Sequence, residues 1–136
     1  MFGPLLSAFL LLSELAYDPE VRSAMWRLLE DTRYGFAETE EAMFIVREGD
    51  GRLSFIRWTS LGIPHQARWM GAVPKGAVAI AHTHPNWRWR PSAVDERTAR
   101  SSGLSVYVVT RDRIVRTNGG QATTVVRGEW QPGRAN

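Results

Sequence analysis

Two histidines set two residues apart, His82 and His84, close an apolar run and are followed at once by Pro85. If residues 77–81 (AVAIA) form a β-strand, side chains two apart share a face, so His82 and His84 look one way and Thr83 the other. Pro85 cannot donate to a sheet ladder and therefore ends the strand. Ser92 and Asp95 follow at the expected start of a helix, where a spacing of three puts them on one face. A fold that accommodates this segment can bring two imidazoles and a carboxylate to one point at a strand end. That donor set suits a catalytic zinc, which takes three protein ligands and keeps a fourth position for water.

Composition narrows the chemistry. A chain of 136 residues is one domain by size and can bury a core without staples. It has no cysteine, which excludes disulfides and thiolate metal sites and leaves His, Asp and Glu as ligands. The formal charge is +3, and Lys75 is the sole lysine among 17 basic residues. So weak a basic balance reads as a solvated surface before it reads as a site for an acidic partner.

The first residues admit two readings. Residues 4–12 (PLLSAFLLL) resemble the apolar core of a signal peptide, but no Lys or Arg precedes them and no small-x-small site is evident before Asp18. The run is too short to span a bilayer, and Glu14 interrupts it. Leu5, Phe9, Leu12 and Ala16 fall on one helical face. Residues 1–17 are therefore expected to be an apolar helix or extension packed on the domain, with a cleaved or anchoring segment as the competing reading. The cytoplasm is the expected compartment. Secretion or membrane association belongs to the competing reading.

Asp18, Pro19 and Glu20 form a helix start: a capping Asp, a proline in the first turn, and an acid at the positive end of the dipole. Val21, Met25, Leu28 and Leu29 supply an apolar stripe, and Gly35 is the expected stop. Residues 42–46 (AMFIV) read as a buried strand, a Gly-rich turn follows, and residues 52–59 form the second arm of a hairpin. Residues 61–76 carry three Gly and two Pro and read as an irregular connection, with a short helical turn at 66–69. Residues 92–101 read as a helix stopped by Gly103, and 104–110 as a β-branched strand. Residues 113–117 and 121–126 make a hairpin around Asn118, Gly119 and Gly120, and 127–136 a frayed tail. This order predicts a single α+β domain over residues 18–126, with one mixed sheet and helices packed against it.

Ser92 and Asp95 carry a second meaning. Ser-x-x-acid after a proline resembles a capping box, worth ~1 kcal/mol to the helix. Beside the histidine pair, metal ligation by Asp95 is preferred, with Ser92 serving both roles. A catalytic zinc also calls for a nearby carboxylate as base, and Glu38, Glu40 and Glu41 cluster just before the first strand.

His82, His84, Pro85, Ser92 and Asp95 together resemble the JAB/MPN family, the JAMM metallopeptidases, whose pattern is an upstream Glu, then H-x-H-P and S-x-x-D. Arg90 and Pro91 before Ser92 are a frequent family context, and the element order fits across roughly residues 19–126. The resemblance implies a cytidine-deaminase-like mixed sheet and zinc held by His82, His84 and Asp95. It implies a Glu as general base and a Ser92 hydroxyl that steadies the oxyanion. The implied reaction is hydrolysis of a peptide or isopeptide bond, in a protein or peptide substrate that includes the ubiquitin-like class. Family members often carry Gly three residues after the Glu, and this chain does not. Counting back from the turn at 49–51 favours Glu40 over Glu41.

Between the histidines and Ser92 lie Trp87, Arg88, Trp89 and Arg90. As a plain surface loop their aromatics fold back onto the domain. As a substrate lip, Trp87 and Trp89 flank an extended peptide while Arg88 meets its carboxylates or carbonyls. The peptide reading is preferred to nucleic acid because the neighbouring chemistry is amide hydrolysis. His65 reads as a packing residue rather than a further ligand. The alternative for the whole chain is a metal-binding but non-hydrolytic module of this fold, associated with nucleic acid through its arginines. Oligomeric state and substrate identity are left open by the sequence.

Overall fold

A computed structural model describes residues 14–59 and 66–133. Leu5, Phe9 and Leu12, expected on one helical face, and His65, expected to pack, lie outside those residues. The first described element is a 3-10 turn, Leu15–Tyr17, whose Ala16 is buried. Helix α1 (Pro19–Asp31) starts where Asp18 accepts hydrogen bonds from the backbone N–H of Glu20 and Val21 at 2.8 and 3.2 Å. It ends four residues before the expected stop at Gly35. Thr32 turns its hydroxyl back onto the carbonyls of Leu28 and Leu29, and Arg33 and Tyr34 then adopt positive φ. Local side-chain bonding at Thr32 thus ends the helix before glycine is needed.

One six-stranded mixed sheet follows, with strands β1 (Ala42–Arg47), β2 (Leu53–Arg57), β3 (Ala77–Thr83), β4 (Ser105–Thr110), β5 (Arg113–Thr117) and β6 (Ala122–Arg127). Their spatial order is β2-β1-β3-β4-β5-β6. All neighbours are antiparallel except β3 and β4, which run parallel. Helix α2 (Ala93–Ser102) makes that crossover, as parallel pairing requires a long connection. Ser92 caps it and Gly103, at φ 72, closes it. The helical turn expected at 66–69 does not form; those residues have no regular secondary structure.

Strand alternation sorts the core into two faces. On one, Val21, Met25, Leu28 and Leu29 of α1 pack on Met43, Ile45, Ala79, Ala81, Tyr107 and Val109. On the other, Phe44, Val46, Ile80, Val106 and Ala99 of α2 form a smaller cluster. His82 pairs in register with Ala42 of β1 and Val108 of β4, placing it on the α2 face. Where residues 127–136 were expected to fray, Trp130 is buried, stacks edge-on to Trp26 at 5.0 Å, and donates its indole N–H to Thr110 at 2.8 Å. Among the described residues, no helix is long and apolar enough to cross a membrane.

Candidate metal centre

Strand β3 runs two residues past the apolar AVAIA run, so His82 lies in its last pleat, Thr83 ends it and His84 opens the turn beyond. Thr83 faces away. Its hydroxyl accepts from the Glu41 N–H at 3.0 Å, and its own N–H donates to the Glu41 carbonyl at 3.0 Å. This pair of hydrogen bonds to one residue fixes the approach to β1 and puts Glu40 on the face of His82. Glu40 Oε1 then accepts from His82 Nδ1 at 2.9 Å. The Glu41 side chain takes another course, to Arg57 at 3.1 Å, where Arg57 also meets Asp31 at the end of α1.

The turn after His84 has an unusual backbone. Asn86 and Trp87 both adopt positive φ, at 56° and 58°, a conformation that costs a non-glycine residue on the order of 1 kcal/mol or more. The reversal carries the Arg88 carbonyl back to His84, whose Nδ1 donates to it at 2.7 Å. Trp87 anchors the turn. Its indole N–H donates to the Tyr34 carbonyl at 3.1 Å, and its ring meets Phe36 edge-on at 6.4 Å. A Cβ on Gly35 would lie 3.0 Å from the indole Cδ1, so the absence of a side chain there lets the ring seat.

Asp95 enters from the first turn of α2. The expected capping box is present: Ser92 Oγ accepts from the Asp95 N–H at 3.1 Å and Asp95 Oδ2 accepts from the Ser92 N–H at 2.7 Å. The same carboxylate reaches the histidines, with Oδ1 2.9 Å from His82 Nε2 and Oδ2 3.2 Å from His84 Nε2. Cap and convergence on the imidazoles are therefore one arrangement, not alternatives. Because its N–H partner uses only a lone pair of Ser92 Oγ, the hydroxyl proton stays free to donate.

The protonation logic follows from these partners. A carbonyl can only accept, so His84 carries a proton on Nδ1 and turns its Nε2 toward Asp95. Glu40 favours the same tautomer in His82. Both Nε2 atoms then face an anionic carboxylate, an arrangement that demands a cation among them. His82 Nε2 is buried and makes no hydrogen bond despite its nearness to Asp95. Burial opposes a charge on His82, but Asp95, and Glu40 behind it, outweigh burial and raise its pKa to about 10. Burial likewise works against the Asp95 charge, yet His82, with hydrogen bonds from His84 and the Ser92 N–H, holds the carboxyl well below its usual range. A proton answers the charge; a divalent cation would also use the orphaned nitrogen.

Two ligand sets share the two histidines. Glu40, His82 and His84 offer ligand atoms within 4.8 Å of one another and so could hold a metal ion. Asp95 instead spans the pair with one oxygen on each Nε2. Asp95 faces the Nε2 atoms of both histidines, while Glu40 lies on the Nδ1 side of His82. In that position Glu40 orients the His82 ring, the place an outer partner would take were His82 to hold a metal.

A cleft of about 1130 Å³ opens over these residues, lined by Glu40, His82, His84, Ser92 and Asp95. Arg88, Trp89 and Arg90 border it, with Trp89 flanked by the guanidinium groups of Arg90 and Arg113 at 5.1 and 4.5 Å. Trp87 does not line it; its ring is spent on the turn at residues 34–36. Sequence reasoning missed the opposite wall, where Trp58 and Trp69 pack around Phe44 with ring centroids 5.3 and 5.0 Å away. Their apolar character was visible, but their position depends on strand register and an irregular segment.

Comparison with known proteins agrees with this geometry. The family model for prokaryotic homologs of the JAB domain matches residues 12–126. Searches of curated proteins and of solved structures returned no match.

Proposed function

We propose, from the premise that this chain belongs to the prokaryotic JAB-domain family, that it is a zinc-dependent hydrolase of peptide or isopeptide bonds. The observation that supports this most directly is the buried meeting of His82 Nε2, His84 Nε2 and the Asp95 carboxylate, with each Nδ1 already engaged on its far side. His82, His84 and Asp95 would hold the ion, which would supply Lewis acidity to a water molecule and to the scissile carbonyl.

The chain's own residues would do the rest. Glu40 keeps one oxygen on His82 and has a second free to take a proton from water and deliver it to the leaving amine. The Ser92 hydroxyl, positioned by the helix cap, would donate to the oxyanion as the carbonyl becomes tetrahedral. Arg88 and Trp89 would border an extended protein or peptide substrate, ubiquitin-like tails among them. Trp87 drops out of that role and acts instead through the loop it anchors.

The test is zinc content by elemental mass spectrometry together with turnover of peptide and ubiquitin-like substrates. Wild type should carry one zinc per chain, Asp95→Ala and His84→Ala should lose it, and Glu40→Gln should keep it while losing hydrolysis. Zinc retained in Asp95→Ala but lost in Glu40→Gln would transfer the ligand role to Glu40. Zinc without turnover on any substrate would favour the non-hydrolytic module.

A further inference from the structure

The cleft has a lining of two characters. The loop after the histidines contributes Arg88 and Arg90, both exposed. The sheet contributes Phe44, Ile80 and Val106, the segment before β3 contributes Trp69 and Val73, and α2 contributes Val94. This apolar arm is continuous with the histidines through the sheet itself. Phe44 and Ile80 are cross-strand partners, one side-chain step along from the partners Ala42 and His82 on the same face. The aromatic wall is held in place before any ligand arrives. Trp69 donates its indole N–H to the Ala72 carbonyl at 2.9 Å and meets Phe44 at 89°. Val94 stands on the rim with 59% of its surface exposed, one position from Asp95.

Resting on the hydrolase reading above, we infer that this arm is a specificity subsite for an aromatic or large aliphatic side chain of an extended peptide, adjacent to the scissile bond. A glycine at that position would leave the half-buried Trp58 and Trp69 rings and exposed Val94 facing water, whereas a Phe or Leu would cover them over the buried floor of Phe44 and Ile80. An apolar side chain fully buried there should favour its peptide over the glycine analogue by about 10- to 100-fold in kcat/KM. The chain would thus select bulky sequences, in contrast to a narrow channel that passes only a glycine-rich tail.

The experiment uses the zinc-loaded full chain and internally quenched peptides in a Ser/Ala background, with Phe, Leu, Asp or Gly placed at one position at a time. The expected profile shows Phe and Leu preferred at one position beside the cut, and the preference collapsing in Val94→Glu and Trp69→Ala. Val94 is a surface position in a helical first turn that tolerates an acid, so this variant reads the cleft rather than the fold. A second arm measures affinity of the Phe and Gly peptides for zinc-loaded Glu40→Gln, with no turnover required. Cleavage with equal rates for Phe and Gly overturns the subsite and leaves the hydrolase reading standing. Absence of cleavage, with tighter binding of the Phe peptide that Val94→Glu abolishes, overturns hydrolysis and keeps the subsite. Equal affinity in the binding arm overturns the subsite whatever the turnover.

Discussion

Raising the pH of the metal-free protein from 7.5 to 8.5 should destabilise it by roughly 1 kcal/mol. His82 has an ordinary pKa of 6.5 and is raised to about 10 between Asp95 and Glu40. A folded-state pKa above the unfolded value means the native protein binds the extra proton. Its stabilisation is complete below the unfolded pKa and is lost as pH rises through the folded one. Within that window the native state holds nearly one proton more than the unfolded chain, so each pH unit removes on the order of 1 kcal/mol near the middle of the range. For a chain of 136 residues this corresponds to a fall in Tm of about 4 °C. Scanning calorimetry or urea unfolding of chelator-treated protein at the two pH values measures it directly. Two controls isolate the cause: His82→Gln should flatten the dependence, and zinc-loaded protein should lack it, because a metal at Nε2 has already replaced the proton. Metal-free wild type with equal stability at both pH values would refute the picture of His82 as a charge held between two carboxylates.

Other outcomes follow from the same coordinates. Asp95 is held below its usual range, so the pair's contribution should persist above pH ~4 and be lost on further acidification, visible as an acid-unfolding limb absent from Asp95→Asn. Trp87→Ala should weaken zinc affinity by about 10- to 100-fold, as loss of an outer partner does, with competition against a chelating dye as the readout. Trp87→Phe, which keeps the ring and loses the bond to Tyr34, should fall between the two. Leu28, fully buried under the sheet, should cost about 2–5 kcal/mol on truncation to Ala, measured by urea denaturation. Gly76→Ala should destabilise comparably, since φ is +83° there and the new Cβ would sit 2.6 Å from the Arg47 carbonyl oxygen.

The parts of the molecule readable from sequence are those governed by local period. Alternation in AVAIA placed His82 and His84 on one face, the cap at Asp18 and the glycine at 103 set helix limits, and the spacing of Ser92 and Asp95 described both a cap and a carboxylate aimed at the histidines. Counting back from the turn at 49–51 favours Glu40 over Glu41, and the structure puts only Glu40 against His82. What the spacing could not convey is non-local. Trp87 is adjacent in sequence to Arg88, but two consecutive positive-φ residues turn it toward residues 34–36. No residue type in Asn86 or Trp87 advertises that reversal, and Gly35, which permits it, lies far away in the chain. Trp58 and Trp69 join the cleft only because β2 pairs with β1 and the following connection folds over Phe44.

The parallel pairing of β3 and β4 through α2 also bears on the order of assembly. His82, His84 and Asp95 all belong to one strand–helix–strand unit, so a single short loop closure brings them together. Glu40 comes from a distant part of the chain and docks only when β1 pairs with β3. During synthesis β1 emerges first and waits for its partner strand. On the proposed function, the three residues that would hold the ion close as a local event, while Glu40 arrives through a long-range one, so that ion capture and competence for hydrolysis would be separable steps in maturation.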